Sequence, residues 1–220
     1  MDRAATLQQL AWLCRGDALD DPSAIWPSGV QALDAALPGG GWRSGGLVEV
    51  MTTQTGIGEM RLVTPALAQL TRADRYVAFV SPPFVPFAPA LIQQGVRLER
   101  LLIVRAQRRR DVLWSLEQTL RCRSFGAVLG WPETLHDRDV RRLQLAAEAG
   151  GAVGFLYRPA AAARAASPAA VRLVLRAQPD GRLNIEILKC RGGRSGLTIT
   201  VERSSVASSS IAKTASAASS

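Results

Sequence analysis

Histidine, lysine, tyrosine and cysteine are nearly missing from this chain. His136 is the single histidine, Lys189 and Lys213 are the lysines, Tyr76 and Tyr157 the tyrosines, and Cys14, Cys122 and Cys190 the cysteines. One histidine removes most metal-ligand clusters and makes any Ser/His or Cys/His nucleophile pair depend on that residue. It lies in the polar turn Glu133-Thr134-Leu135-His136-Asp137, a surface or helix-capping setting rather than a catalytic one. Cysteines this scattered, in no C-x-x-C pair, indicate neither a disulfide framework nor a zinc site and fit a reducing cytoplasm. No apolar run approaches the length of a membrane span. The opening Met1-Asp2-Arg3, followed by Gln8 and Gln9, breaks any apolar stretch too early for a signal peptide.

What is abundant is apolar residue and arginine. With 220 residues, 47% of them hydrophobic, the chain is long enough to bury a full core in one domain. The net charge of +9 is carried almost wholly by arginine. Such a field steers polyanions and suits nucleic acid or an acidic partner. An arginine bias also arises from a GC-rich genome, so charge alone leaves nucleic-acid binding open.

Residues 2–14 place Leu7, Leu10, Ala11 and Cys14 on one face at helical spacing, which predicts an amphipathic helix. Arg15 to Gly29 is a connector rich in Asp, Pro and Gly, and Val30 to Leu37 a short helical pattern ending at the turn Pro38-Gly39-Gly40-Gly41. Short apolar runs then alternate with helical patterns. Leu47–Met51, Tyr76–Ser81, Leu101–Arg105, Ala127–Trp131 and Ala152–Tyr157 read as buried strands, with helices near 64–72, 88–94, 111–122 and 137–149. Thr64-Pro65 is either a cap with Pro at the first helical position or a bend in a helix begun near Gly58. In the helix near 111–122, Asp111 is the expected cap, and Leu113, Leu116 and Leu120 share a face with Val112, opposite Glu117 and Arg121. This alternation predicts an α/β fold with a mostly parallel sheet covered on both faces. Ala160 to Ala166 reads as a shortened loop. Val171–Arg176, Leu183–Leu188 and Leu197–Val201 read as strands joined at Pro179-Asp180-Gly181 and Arg191-Gly192-Gly193, an antiparallel hairpin extension. Ser204 to Ser220 is almost all Ser and Ala and predicts a disordered tail. The expected division is residues 1–23 as helix and connector, 24–203 as the folded domain and 204–220 as tail.

The segment Glu49 to Met60 sits where a nucleotide-binding chain carries its phosphate loop. A working loop reads G-x-x-x-x-G-K-[ST]: backbone N–H groups cradle phosphates, Lys neutralises them and Ser/Thr holds Mg²⁺. Here Gly56 and Gly58 remain, but Thr53 stands at the first glycine, Glu59 at the lysine and Met60 at the hydroxyl position. At about 4 Å and an effective dielectric near 20, one charge pair is worth roughly 4 kcal/mol, so exchanging Lys for Glu turns attraction for a polyanion into repulsion. Taken alone, the segment reads equally as an ordinary strand-to-helix turn.

The order Pro27-Ser28-Gly29-x3-Leu33-Asp34-x2-Leu37-x-Gly39-Gly40-Gly41-x3-Gly45-x-Leu47-Val48-Glu49-Val50 resembles the lead-in to the phosphate loop of RecA-type recombinases. The resemblance covers about residues 24–201. It implies a RecA-like core in which Ala127 to Trp131 is the strand that should end in a Mg²⁺-organising Asp, and none is there. Phe79-Val80-Ser81-Pro82-Pro83 falls where the family keeps a catalytic Glu, and Pro stands in that place. The two DNA-contacting loops would lie near Trp131–Asp137 and Pro159–Ser167, short and poor in the aromatics a stacking platform needs. Within that superfamily the chain is similar to the ImuA family, on Leu13-Cys14-Arg15-Gly16-Asp17, Leu37 to Trp42, Gly56 to Glu59, Pro82-Pro83-Phe84-x-Pro86-Phe87-Ala88-Pro89-Ala90-Leu91, Leu113-Trp114-x-Leu116-Glu117-Gln118, Arg141 to Glu148, Phe155 to Pro159 and Leu188-Lys189-x-Arg191-Gly192-Gly193. That likeness implies a non-catalytic, cytoplasmic accessory protein of SOS-induced error-prone translesion synthesis. It also implies contact with an ImuB-type inactive polymerase homologue, with RecA and the ImuC polymerase as further partners and nucleoid association during DNA damage. It implies no cofactor and no metal. SulA, a division inhibitor acting on FtsZ, is the relative of a different class, and a residual nucleotide- or DNA-binding recombinase paralogue is the third reading.

The candidate contacts are of three kinds. Phe84 and Phe87 lie in a proline-stiffened loop at a strand's C-terminal end, either as a preorganised protein-binding loop or as local core. Arg105, Arg108, Arg109 and Arg110 follow another strand end, while Arg138, Arg141 and Arg142 share a helix, as contacts for phosphate or an acidic partner or as a solvated face. Lys189 and Arg191 flank the last hairpin, which resembles a subunit-contacting strand pair of the recombinases.

Overall fold

The computed structural model describes residues 24–202. The amphipathic helix at 2–14 and the Ser/Ala tail lie outside the described residues. Chain order is β1 (Ile25–Trp26), α1 (Gln31–Asp34), β2 (Trp42–Arg43), β3 (Leu47–Thr52), α2 (Thr64–Arg72), β4 (Tyr76–Val80), α3 (Ala88–Gln93), β5 (Leu101–Val104), α4 (Arg109–Arg121), β6 (Phe125–Gly130), α5 (Asp137–Gly150), β7 (Val153–Pro159), β8 (Val171–Ala177), β9 (Leu183–Cys190) and β10 (Leu197–Val201). Single 3₁₀ turns cover Glu59–Leu62, Leu98–Arg100 and Ala160–Arg164. β1 and β2 form a small antiparallel ribbon; the rest form one sheet of eight strands in the order β10-β9-β8-β3-β7-β6-β4-β5.

From β8 to β5 every neighbouring pair is parallel, while β9 and β10 join antiparallel at the other edge. This is an α/β fold: a mostly parallel sheet flanked by helices, with C-terminal antiparallel strands. One core lies under α1, α2 and α3 against Val50, Phe79, Phe155 and Leu173. The other lies under α4 and α5 against Leu47, Phe125, Val128 and Leu156. Strands apolar on both faces are therefore buried on both faces. Each fully buried Leu or Phe in these layers contributes about 1.5–3 kcal/mol relative to exposure.

The lead-in motif has a local structural meaning. Ser28 N–H donates to Asp34 Oδ1 at 2.8 Å and Val30 N–H to Ser28 Oγ at 3.1 Å, which closes the turn that starts α1 and sends Leu33 wholly into the core. Trp42 is buried, donates its indole N–H to Leu62 O at 2.8 Å and meets the Phe155 ring edge-on. Those bonds fix the segment after the phosphate-loop position against the sheet.

Several boundaries differ from expectation. Asp111 is not the cap of α4: the helix starts at Arg109, so Asp111 stands in its first turn. Neither reading of Thr64-Pro65 holds unaltered. A 3₁₀ turn over Glu59–Leu62 precedes α2, Thr64 Oγ1 donates back to Met60 O, and Pro65 lies in the first helical turn, where its missing N–H has no partner to lose. Ala160–Arg164 is a 3₁₀ turn rather than a loop. Glu117 does not face solvent. It is buried between α4 and α5 and pairs with Arg142 across the helices and Arg121 on its own. Gly150 permits that helix crossing, since a Cβ there would stand 2.0 Å from Leu120 O. His136 caps α5, its N–H donating to Asp139 Oδ2 at 3.0 Å. Cys190 is a buried free thiol, whereas Cys122 is disulfide-bonded, which the cysteine spacing gave no reason to expect.

Candidate functional site

The loops that leave the C-terminal ends of the parallel strands carry most of the sequence candidates. In open α/β sheets this is where binding crevices form, at the point where successive connections pass to opposite faces. β4 leads to α3 on one face and β6 to α5 on the other, and these strands are neighbours.

After β3, the loop of Thr53, Gly56, Gly58, Glu59 and Met60 has an inward-turned carboxylate. Glu59 is buried, and its oxygens accept the N–H of Gly56 at 2.9 and 3.2 Å and that of Gly58 at 3.1 Å. Gly56 and Gly58 both have positive φ, 87° and 101°, the conformation that turns successive amides toward one centre. The amides that would cradle a phosphate are thus satisfied by the chain's own anion. Repulsion at the lysine position was legible in the sequence; occupation of the nest was not. Met60 points away from any metal role, its sulfur 3.6 Å from the Tyr157 hydroxyl.

Tyr157 stacks on Trp131 with centroids 4.7 Å apart and planes 8° from parallel, and Phe79 meets Trp131 edge-on at 5.8 Å. Burial, and then the charge of Glu59, push the Tyr157 phenol up. Trp131 follows the strand on which the recombinase likeness expects an Asp, so an aromatic stack fills the zone beside the loop.

One level deeper lies an ionic cluster absent from the sequence candidates. Glu49 in β3 is fully buried and pairs with Arg158 of β7 and with Arg172 Nε of β8 at 2.7 Å. Arg158 also donates to Leu135 O at 3.2 Å and Arg172 to Ala162 O at 2.8 Å. The cluster therefore ties both short loops, 131–137 and 160–166, to the sheet centre. A charge inside each of the apolar runs 47–51 and 171–175 was the available signal. A lone buried charge is too costly to keep, so each predicts the other.

Phe84 and Phe87 do not fill local core. They are 70% and 71% exposed, beside Val85 at 70%, and Ile92 of α3 adds a further exposed apolar side chain. Of the arginines, Arg109 is committed to Asp139 and Thr134 O, and Arg142 to Glu117. Arg108, Arg110, Arg138 and Arg141 are exposed. Lys189 donates to Ser167 O at 2.7 Å and stands opposite Arg172 in the β8–β9 pair, while Arg191 is exposed at the turn. Burial first, then Arg191 and Arg172, lower the Lys189 ammonium's pKa. The structure does not gather the candidates into one patch: the phenylalanines follow β4, the Arg108–Arg110 run follows β5, and Lys189 lies across the sheet on β9.

A family model described as cell division inhibitor SulA matches residues 46–154. The Protein ImuA of Caulobacter vibrioides is 30% identical over 200 residues, covering 80% of this chain and 82% of that protein. The chain belongs to the ImuA family. The cell division inhibitors SulA of Photorhabdus laumondii and Yersinia pestis are 32% and 30% identical over 99 residues, 45% of this chain in each case. The chain spans little more than half the length of those SulA relatives, 56% and 59%. For an ImuA-family chain the extent matters: the SulA match stops at the start of β7, so β8, β9 and β10 lie outside it. No helix among the described residues is long and apolar enough to cross a membrane.

Proposed function

We propose that this ImuA-family chain is a non-catalytic adaptor of DNA-damage-induced, error-prone translesion synthesis. It acts through protein contacts with an ImuB-type inactive polymerase homologue, and with RecA and an ImuC-type polymerase as further partners. The observation that carries this reading is Glu59 seated in the amides of the glycine loop after β3, the position where the recombinase likeness puts a phosphate loop, within a mostly parallel eight-stranded sheet. A scaffold kept after its nucleotide chemistry is lost is a scaffold used for its surface. The exposed Phe84, Val85, Phe87 and Ile92 support contact with protein, because an apolar cluster on a stiff loop binds with little ordering cost. Pull-down of the ImuB-type partner and of RecA, with damage-induced mutagenesis in a deletion strain, tests the reading. Unchanged mutagenesis without the protein would remove it.

The matching SulA family model favours a second reading, inhibition of cell division through FtsZ. Overexpression distinguishes the two: filamentous cells support inhibition, and unchanged cell length counts against it.

A further inference from the structure

A cavity of about 570 Å³ opens where β4, β5 and β6 end, at the point where the connections diverge to the two faces of the sheet. The self-occupied loop after β3 is not part of its wall. Its frame is fixed. Ser81 holds a left-handed backbone at φ 52°, which a non-glycine residue keeps only under constraint, and its hydroxyl both donates to Ala106 O at 2.9 Å and accepts Ala106 N–H at 3.2 Å. Ser81 N–H donates to Val104 O and Trp131 N–H to Val80 O, so the three strand ends are fastened together. Trp131, stacked from behind by Tyr157, supplies an aromatic wall, and Pro82 and Pro132 supply apolar rings with carbonyl acceptors and no N–H.

The charges of the cleft are not self-matched. Arg109 is bound to Asp139, but Arg105 lines the cavity exposed and forms no ion pair among the described residues, and Arg108, exposed between the lining residues Gln107 and Arg109 but not itself part of the lining, likewise forms none. Glu133 lines the opposite side. A phosphate backbone would meet that carboxylate, whereas a peptide brings N–H groups for Glu133 and the proline carbonyls as well as carboxylates for the arginines. We propose that this cleft takes an acidic peptide segment of a partner protein, an apolar side chain seated against Trp131 and Pro132 and its carboxylates on Arg105 and Arg108. The inference rests on the adaptor reading for the existence of such a partner.

Fluorescence anisotropy of the full chain tests it with three labelled probes: a peptide pool with a Leu-Phe centre flanked by Asp and Glu, the same pool flanked by Lys, and single-stranded oligo-dT. The acidic pool is expected to bind, and the Lys pool and oligo-dT to bind far more weakly. Arg105→Glu should weaken acidic-pool binding about tenfold or more, since one close charge pair is reversed. Thr134→Trp, a filling substitution at an exposed lining residue, should abolish it, while Arg43→Glu at the other end of the sheet should leave it within about twofold. Absence of binding by the acidic pool, equal binding to the Arg105→Glu and Thr134→Trp chains, or tighter Arg105-dependent binding of oligo-dT would overturn the proposal. If pull-downs fail while Arg105-dependent peptide binding persists, the adaptor reading falls and the cleft stands. Pull-downs that succeed equally with both cleft variants remove the cleft alone.

Discussion

Glu59 turns its charge inward, and Glu49 holds two guanidinium groups that have no other carboxylate within reach among the described residues. The two acids differ in what their loss would leave behind. Glu59→Ala frees amides at a loop where Gly56 is open to water, so the cost is near the lower end of the range for an unsatisfied group, about 1 kcal/mol by urea unfolding. Glu49→Gln strands two arginines beneath the loops and should cost about 3–5 kcal/mol by the same measurement. A milder loss would mean that solvent reaches the cluster. Lys189 sets a pH dependence. Its folded pKa is lowered, so below the ordinary lysine value of 10.5 the unfolded chain binds more protons, and stability rises with pH through that interval. Tyr157, shifted up, opposes this only above its ordinary value of 10.0. Burial likewise pushes the Cys190 thiol up, which opposes the climb from its ordinary value of 9.0, so the urea midpoint should climb only as pH approaches 9.0, and Lys189→Met should flatten that climb.

Among the elements, the 82–87 loop separates binding from folding. Phe84 and Phe87 touch little of the protein, so Phe84→Ser and Phe87→Ser should shift unfolding free energy by no more than about 0.5 kcal/mol while weakening capture of the ImuB-type partner or RecA. Retained capture would reassign the loop to bystander status. α4 and α5 show the reverse case, an element pair whose geometry depends on one missing Cβ. Gly150→Ala should force the crossing apart and cost about 1–3 kcal/mol in thermal or urea unfolding. The sequence pattern placed both helices within two residues, because their apolar spacing is long and regular. It misassigned Asp111 and Glu117, because a helix start and a buried ion pair depend on what the neighbouring helix offers.

For the whole molecule, the strand order makes the C-terminal segment part of the core rather than an appendage. β8 pairs directly with β3 at the middle of the sheet, and Leu173, Leu175, Ile185 and Ile187 are fully buried. A chain ending before Val171 should therefore lose cooperative unfolding by circular dichroism instead of persisting as a smaller domain. The SulA match ends before this segment, so its removal from the ImuA-family chain would also show whether the matched region is self-sufficient here. The adaptor reading places function on the outer loops at one end of this sheet, which the buried Glu49 cluster holds from beneath.

Alternation of apolar runs and helical patterns and the two hairpin turns were sufficient to fix the class of fold, and the lead-in around Leu33-Asp34 marked the glycine loop after β3. Those signals are local: each needs only the periodicity or turn chemistry of a few adjacent residues. Tertiary structure alone decided that Glu59 fills its own nest, that Glu49 joins Arg158 and Arg172, that Phe84 and Phe87 face solvent, and that Arg105 stands in a cleft while Arg109 is bound. Each of those outcomes depends on groups far apart in the chain. Whether a charge is paired, or a ring covered, is set by what the fold brings beside it.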